Sequence, residues 1–376
     1  MTTKNKICYL VTFHTPINFG AVLQATALSN YLNSIFGLDV YVINFRSRAL
    51  TRVYPIIRFQ KSLGGIKAFL IDSLNIFNEL NKRKRFGLFV KRYMKLTKTY
   101  RSFHELDKDS LSCDYLVTGS DQVFRPTRSF EERAVFYLAF SISCLCKFSY
   151  AGSFGGVDIS NNDVPLIKQY LSSFNYISIR EQSGVDCLKK IGIDSTLVLD
   201  PVFLFSKEEW QPFEKSDNFP SFKKDYILYY ALIDDEKYHH YVYCISKILN
   251  LPVVVVGPVK RLPFKVSHYL KACGPSEFLS LIKHSSLVLT SSFHGVAFSL
   301  IYQKQFLSLE EDDVLRNRVE NLLKSIGVDY LSFKDYLQLC KEKRNNYINY
   351  ELINERLKKL IDNSKAFLER CIYCEK

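Results

Sequence analysis

Ser286-Leu287-Val288-Leu289-Thr290-Ser291-Ser292-Phe293-His294-Gly295-Val296-Ala297-Phe298-Ser299-Leu300-Ile301 passes from an apolar run of strand length, through a small polar turn, into an apolar run of helical length. In a parallel α/β layout the turn after a strand faces the crevice where such sheets bind ligands, which makes His294 the first candidate for chemistry. A lone histidine there is more often a packed member of a helix-capping turn, so the rest of the chain has to decide. The same grammar returns four times. Cys8 to Phe13 runs into His14-Thr15-Pro16-Ile17-Asn18-Phe19-Gly20 and a helical stretch from Ala21 to Leu28. Tyr115 to Thr118 runs into Gly119-Ser120-Asp121-Gln122-Val123-Phe124. Phe148 to Ala151 precedes Gly152-Ser153-Phe154-Gly155-Gly156, and Tyr176 to Ile179 ends at Arg180-Glu181-Gln182-Ser183-Gly184.

With 376 residues and 47% hydrophobic content, the chain is long enough for two packed domains. Strands are expected at about 7 to 13, 38 to 45, 114 to 119, 146 to 152 and 175 to 180, alternating with helices. Asp200-Pro201 and the polar run from Lys207 to Lys224 read as an inter-domain linker. A second α/β series follows, with strands at Tyr226 to Leu232, Pro252 to Val256, before His294 and around Phe306 to Leu309, then a terminal helix from about Tyr350. The expected fold class is therefore α/β, with two Rossmann-like, doubly wound domains facing a cleft. Residues 1–205 form the first and 206–376 the second, the latter with the terminal helix.

The net charge of +13 is local. Between Arg46 and Arg101 lie 15 of the 51 Lys and Arg but only 2 of the 38 Asp and Glu, so the remaining sequence is balanced. Apolar residues at helical spacing in this segment, such as Ile66, Phe69, Leu70, Phe77, Leu80 and Phe89, predict two helices joined by Lys82-Arg83-Lys84-Arg85, inserted in the first domain. Basic amphipathic helices suit an anionic membrane surface or an acidic glycolipid diphosphate, and equally a solvated face over an ordinary insertion. No RRM, KH, zinc-finger or helix-turn-helix pattern accompanies the charge, so no nucleic-acid partner is expected. The longest nearly uncharged apolar run, Ala134 to Cys146, is too short to cross a bilayer and no signal peptide is evident; the chain is expected in the cytoplasm, either free there or peripheral at the inner face of the cell membrane. The ten cysteines are scattered, with Cys371 and Cys374 the only C-x-x-C pair, and read as reduced core residues. Asp107-Lys108-Asp109 has the spacing of a metal clamp but sits in a polar turn, so no metal is assigned. There is neither a P-loop nor a G-x-G-x-x-G after a strand.

Taken in order, Asn18-Phe19-Gly20-Ala21-Val22-Leu23-Gln24, Gly119-Ser120-Asp121-Gln122-Val123-Phe124, Ser178-Ile179-Arg180-Glu181 and Ser292-Phe293-His294-Gly295 resemble the motifs of the polysaccharide pyruvyltransferase family. The resemblance implies a GT-B-like layout and a reaction. Pyruvate would pass from phosphoenolpyruvate, a co-substrate, onto a sugar of a lipid-linked surface polysaccharide precursor as a cyclic ketal, with release of phosphate and no cofactor. His294 is the candidate acid for the enol carbon, because an imidazole gives and takes protons near neutral pH. Arg180 is the candidate anion clamp, through its bidentate fork, or else a surface arginine paired with Glu181. Many members of the family carry a second arginine two residues before the histidine, where this chain has Ser292. Ser292, Phe293, Arg316 and Arg318, with Lys304 as a further cation, complete the expected donor side. On the acceptor side, Asn18 and Gly20 offer a helix start, and Ser120 and Gln122 flank Asp121, which would orient or deprotonate a sugar hydroxyl or merely cap a helix. The competing function is a glycosyltransferase of the same layout using a nucleotide sugar.

Overall fold

The computed structural model describes residues 5–15, 17–47, 63–157, 159–215, 219, 225–259, 262–309, 313–344 and 346–373, with the backbone alone for 63–75 and 313–315. Twelve strands are present among them: β1 (Ile7–Val11), β2 (Asp39–Phe45), β3 (Leu96–Tyr100), β4 (Leu111–Thr118), β5 (Ile142–Gly152), β6 (Tyr176–Ile179), β7 (Thr196–Leu197), β8 (Ile227–Tyr230), β9 (Val253–Val256), β10 (His268–Tyr269), β11 (Leu287–Thr290) and β12 (Gln305–Ser308). They form one sheet ordered β3-β2-β1-β4-β5-β6-β7 and a second ordered β10-β9-β8-β11-β12. Every neighbouring pair is parallel. The apolar runs cause this: a strand covered by helices on both faces is apolar at every position, as Val253-Val254-Val255-Val256 is, all four of them buried.

Each sheet reverses its winding once, between β1 and β4 in the first and between β8 and β11 in the second. The carboxyl ends of strands flanking such a reversal are where open α/β sheets place ligands. Asn18 and the Gly119–Gln122 turn therefore belong to the first switch point, and Ser292 and His294 to the second. Helix Phe19–Phe36 starts where Asn18 accepts a hydrogen bond from the Ala21 N–H and stops at Gly37 in the left-handed region, φ 64°. The second core gathers Ile227, Tyr229, Val253, Val255, Leu287, Leu289 and Leu307. Burying side chains of this size contributes roughly 1.5–3 kcal/mol each.

By compactness the chain divides into one unit of Met1–Pro55, Gly87–Phe205 and Lys359–Lys376 and another of Ile56–Phe86 and Ser206–Lys358. The terminal helix, Tyr350–Tyr373, thus ends in the first unit rather than wholly in the second. The reason lies in its contacts: Tyr115 OH donates to the Ile372 carbonyl at 2.8 Å, and the Leu199 N–H to Ser364 Oγ at 2.9 Å.

Two local expectations are corrected. The basic segment holds one continuous helix, Leu63–Tyr93, and not two joined at Lys82–Arg85, because nothing in that basic tetrapeptide breaks a helix; its residues 48–62, with Ile56 and Ile57, lie outside the described residues. The described start of the expected linker, residues 207–215, is ordered: Ser206 and Glu209 form a capping box on helix Lys207–Trp210, and the Trp210 indole is fully buried against Phe213 and Phe298. Tyr150, Phe154 and Phe124 belong to the core of the first unit, each 3% exposed or less. Of the nine described cysteines, Cys8, Cys113, Cys273, Cys340 and Cys371 are buried, and Cys374 lies outside the described residues.

Candidate active site

In the first unit the turn after β4 is built by close approach. A Cβ at position 119, φ 131°, would stand 1.9 Å from the Tyr150 carbonyl oxygen, so only glycine brings the chain this near β5. Ser120 is buried, its N–H donating to Gln24 Oε1 at 3.0 Å and its hydroxyl to the Ala151 carbonyl at 2.8 Å. Asp121 then takes a left-handed conformation, φ 69°, which costs a non-glycine residue energy and turns its carboxylate toward Arg180.

Arg180, at the exit of β6, is the hub of this site. Its guanidinium lies 3.0 Å from Asp121 Oδ1, 2.8 Å from Asp200 Oδ2 and 3.6 Å from Glu181 Oε2, with its side chain only 3% exposed. Burial alone would lower its pKa, but Asp121, Asp200 and Glu181 outweigh burial and hold it above its ordinary value. The expected open fork for an anion is therefore occupied by carboxylates, and the geometry makes Arg180 the residue that fixes Asp121. Asp121 keeps 24% of its side chain exposed and remains reachable. Gln122 Oε1 accepts from Arg125 at 3.0 Å, while Arg128 donates to the Gln122 carbonyl and lies over the Phe13 and Phe136 rings. Of the other acceptor-side candidates, Asn18 is engaged as a helix cap and Gly20 is buried in the first turn.

Sequence reading missed Asp200 and Gln24. Asp200-Pro201 reads as a break, yet it follows the short strand β7, and a carboxylate there is the strand-exit grammar once more. Gln24 sits in a helical stretch buried from Phe19 to Ser29, where a carboxamide needs partners; it finds them in Thr12 Oγ1 at 2.9 Å and the Ser120 N–H. His14 was likewise passed over. It is buried beside β1, its Nδ1 3.1 Å from the Thr12 carbonyl and its Nε2 3.3 Å from Asn44 Oδ1.

In the second unit, Ser292 precedes helix Phe293–Ile301 and donates its N–H to Thr290 Oγ1 at 3.1 Å. Gly295 lets this helix start close over β11, since a Cβ there would come within 2.4 Å of Thr290 Oγ1. His294 is thereby held at the second switch point with 9% of its surface exposed. The Phe293 ring stands edge-on to the His294 imidazole at 5.4 Å, and the Arg318 guanidinium lies 5.6 Å from its centre, so one aromatic ring links the two. Arg316 is directed elsewhere, to Glu320 at 2.9 Å and the Tyr330 ring at 5.9 Å. Burial, with Lys207 and Lys283 nearby, lowers the pKa of Lys304. Asp107 and Asp109 are engaged by the Ser141 N–H and by Lys98 and Tyr100, and among the described residues no group of three or more His, Cys, Asp or Glu is placed to hold a metal ion.

A family model described as polysaccharide pyruvyl transferase matches residues 18–313. No curated protein matches the chain. Among solved structures, the chain is similar to a putative UDP-N-acetylglucosamine 2-epimerase from Listeria monocytogenes, with a TM-score of 0.54 and 11% identity over 99% of this chain and 98% of that one. It is also similar to UDP-GlcNAc 2-epimerase from Methanocaldococcus jannaschii, at 0.51 and 14% over 94% and 99% respectively. At such identity the likeness is one of fold, two parallel α/β units of GT-B type.

Proposed function

We propose, from the premise that this chain belongs to the polysaccharide pyruvyl transferase family, that it transfers pyruvate from phosphoenolpyruvate to a sugar of a surface polysaccharide precursor as a cyclic ketal. The observation that carries this reading is the span of the family match. Residues 18–313 enclose Asn18, Ser120, Asp121, Gln122, Arg180, Ser292, Phe293 and His294, and leave Arg316 and Arg318 outside.

On this reading His294 protonates the methylene carbon of the enol, giving an oxocarbenium-like centre that still carries carboxylate and phosphate. One sugar hydroxyl adds to that centre and gives up its proton, for which Asp121, aimed by Arg180, is the proposed acceptor. Phosphate then leaves, and the second hydroxyl closes the ring as its proton departs with the phosphate. Arg318, stacked on Phe293 beside His294, is the better placed of the two arginines for the donor anion. No step calls for a cofactor.

A lipid-linked acceptor and a peripheral membrane contact belong to the same proposal. Helix Leu63–Tyr93 exposes Phe77, Leu80, Lys84, Leu88 and Lys91, an apolar and basic set that suits an anionic lipid surface. No helix among the described residues is long and apolar enough to cross a membrane.

The test is mass spectrometry of candidate acceptors incubated with phosphoenolpyruvate. The expected product gains the mass of pyruvate less one water and releases inorganic phosphate. A thermal-shift comparison of phosphoenolpyruvate with nucleotide sugars accompanies it. Stabilisation by nucleotide sugars alone, with no product from phosphoenolpyruvate, overturns the proposal in favour of glycosyl transfer.

A further inference from the structure

The second unit contains a cavity of about 1170 Å³ to which the reaction above assigns nothing. One wall is a single face of helix Glu236–Leu249: Glu236, His239, His240 and Tyr243, spaced i, i+3, i+4 and i+7, with Asp234 just before the helix. The rest of its lining comes from the chain after β9 and includes Phe264, Lys265 and Tyr269. A helix face that merely packs under a loop is expected to be apolar. This one presents two imidazoles, a carboxylate and a phenol, and Asp234 adds a second carboxylate just before the helix.

The cavity lies at the carboxyl ends of β8 and β9, the ligand side of a parallel sheet. The loop after β8 is tied to the turn before His294, because the Leu232 N–H donates to Ser291 Oγ at 3.1 Å. His239, 6% exposed, has Nε2 3.1 Å from Asp234 Oδ1, which sets the carboxylate at the cavity wall. Tyr243 is 39% exposed and its ring lies 5.2 Å from that of Phe264, so two flat apolar faces border the same space. Flat aromatic faces pack against the C–H faces of sugar rings, while carboxylates and imidazoles accept from and donate to hydroxyls. Pockets that hold a drug-sized ligand run to roughly 300–1,000 Å³, so this space is large for a three-carbon donor and suits several sugar rings. Asp234 and Glu236 disfavour a diphosphate at this end of the helix.

We propose that this cavity is a saccharide subsite that holds sugar units of the acceptor beyond the one modified, an assignment that rests on the pyruvyl transfer reading. Tyr243 and Phe264 stack on those units, and Asp234 and Glu236 accept from their hydroxyls.

The experiment measures binding of the full chain to an array of bacterial surface glycans and, separately, transfer from phosphoenolpyruvate to single-sugar and extended acceptors. Wild type is expected to bind extended glycans, Tyr243→Ala to bind them about tenfold more weakly, and Tyr243→Phe, which keeps the ring and controls for folding, to retain most of the affinity. Tyr243→Ala should also raise KM for an extended acceptor more than for a single sugar. The subsite is overturned if wild type binds no glycan, if Tyr243→Ala and Phe264→Ala bind as wild type does, or if those variants lose only nucleotide-sugar binding. Transfer without any dependence on Tyr243 sinks the subsite and leaves the reaction standing. Glycan binding that depends on Tyr243, with no pyruvate transferred, does the reverse.

Discussion

At the scale of single residues, His294 and Arg180 make different predictions although both stand at strand exits. Exchanging His294 for Gln keeps much of the side chain's shape but removes the proton donor, so turnover should fall about 100-fold or more while donor affinity changes less. Near-wild-type turnover would take His294 out of the mechanism. Arg180 is buried among three carboxylates, so Arg180→Ala should destabilise the fold by about 3–5 kcal/mol in urea titration, on top of any loss of activity. Unchanged stability would mean that Asp121, Asp200 and Glu181 do not depend on it. His14 gives a prediction in pH. Burial, its largest influence, holds its pKa below the ordinary value, against the bonds to Thr12 and Asn44 and with the help of Arg46. The folded chain then binds fewer protons at His14 than the unfolded chain, so stability conferred by the neutral ring is complete above about pH 6.5 and falls as pH drops toward the lowered folded value. Urea midpoints across that range should fall less steeply on the acid side in His14→Gln than in wild type. The type of each strand-exit residue was visible in the sequence, but its partners were not. Asp121, Arg180 and Asp200 follow three different strands, and only the sheet order brings them together.

At the scale of elements, the long basic helix changes which of its charges are worth testing. Arg83 pairs with Glu79 at 3.0 Å and Arg85 with Glu277 at 3.1 Å, while Lys82 is half-buried, with its pKa lowered by desolvation. Neutralising those three would break two ion pairs as well as remove charge. Lys84, Lys91 and Arg92 are exposed, so replacing them with Gln should weaken binding to anionic vesicles by about 1 kcal/mol for each charge that reaches the surface, and should reduce its salt dependence. Vesicle binding indifferent to all three would leave the helix as a solvated face. The elements most legible in the sequence were those whose pattern was long, such as β5, or largely apolar, such as β9, β11 and helix Phe293–Ile301. Those that escaped were short or polar: β3, Leu-Thr-Lys-Thr-Tyr at the edge of the first sheet, looks like the tail of the basic segment, and β7 and β10 have two residues each. Edge strands need little apolar character, because one side of their ladder is left open.

At the scale of the whole molecule, the two α/β series and their parallel strands follow from the alternation of apolar runs with polar turns. The closing of the first unit by the chain's last helix does not, since Tyr115 and Ile372 are joined only in the fold. Removing residues 359–376 should therefore lower the denaturant midpoint of the first unit, read by hydrogen exchange in β4 and β5, more than that of the second. Equal protection in both sheets would show the helix end to be dispensable. The same arrangement sets an order of events during synthesis. The sheet translated first stays uncapped until residues 359–373 have emerged, which is after the entire second unit has been made. For most of translation the nascent first unit is therefore an incomplete fold, with the surface that receives that helix still open to water.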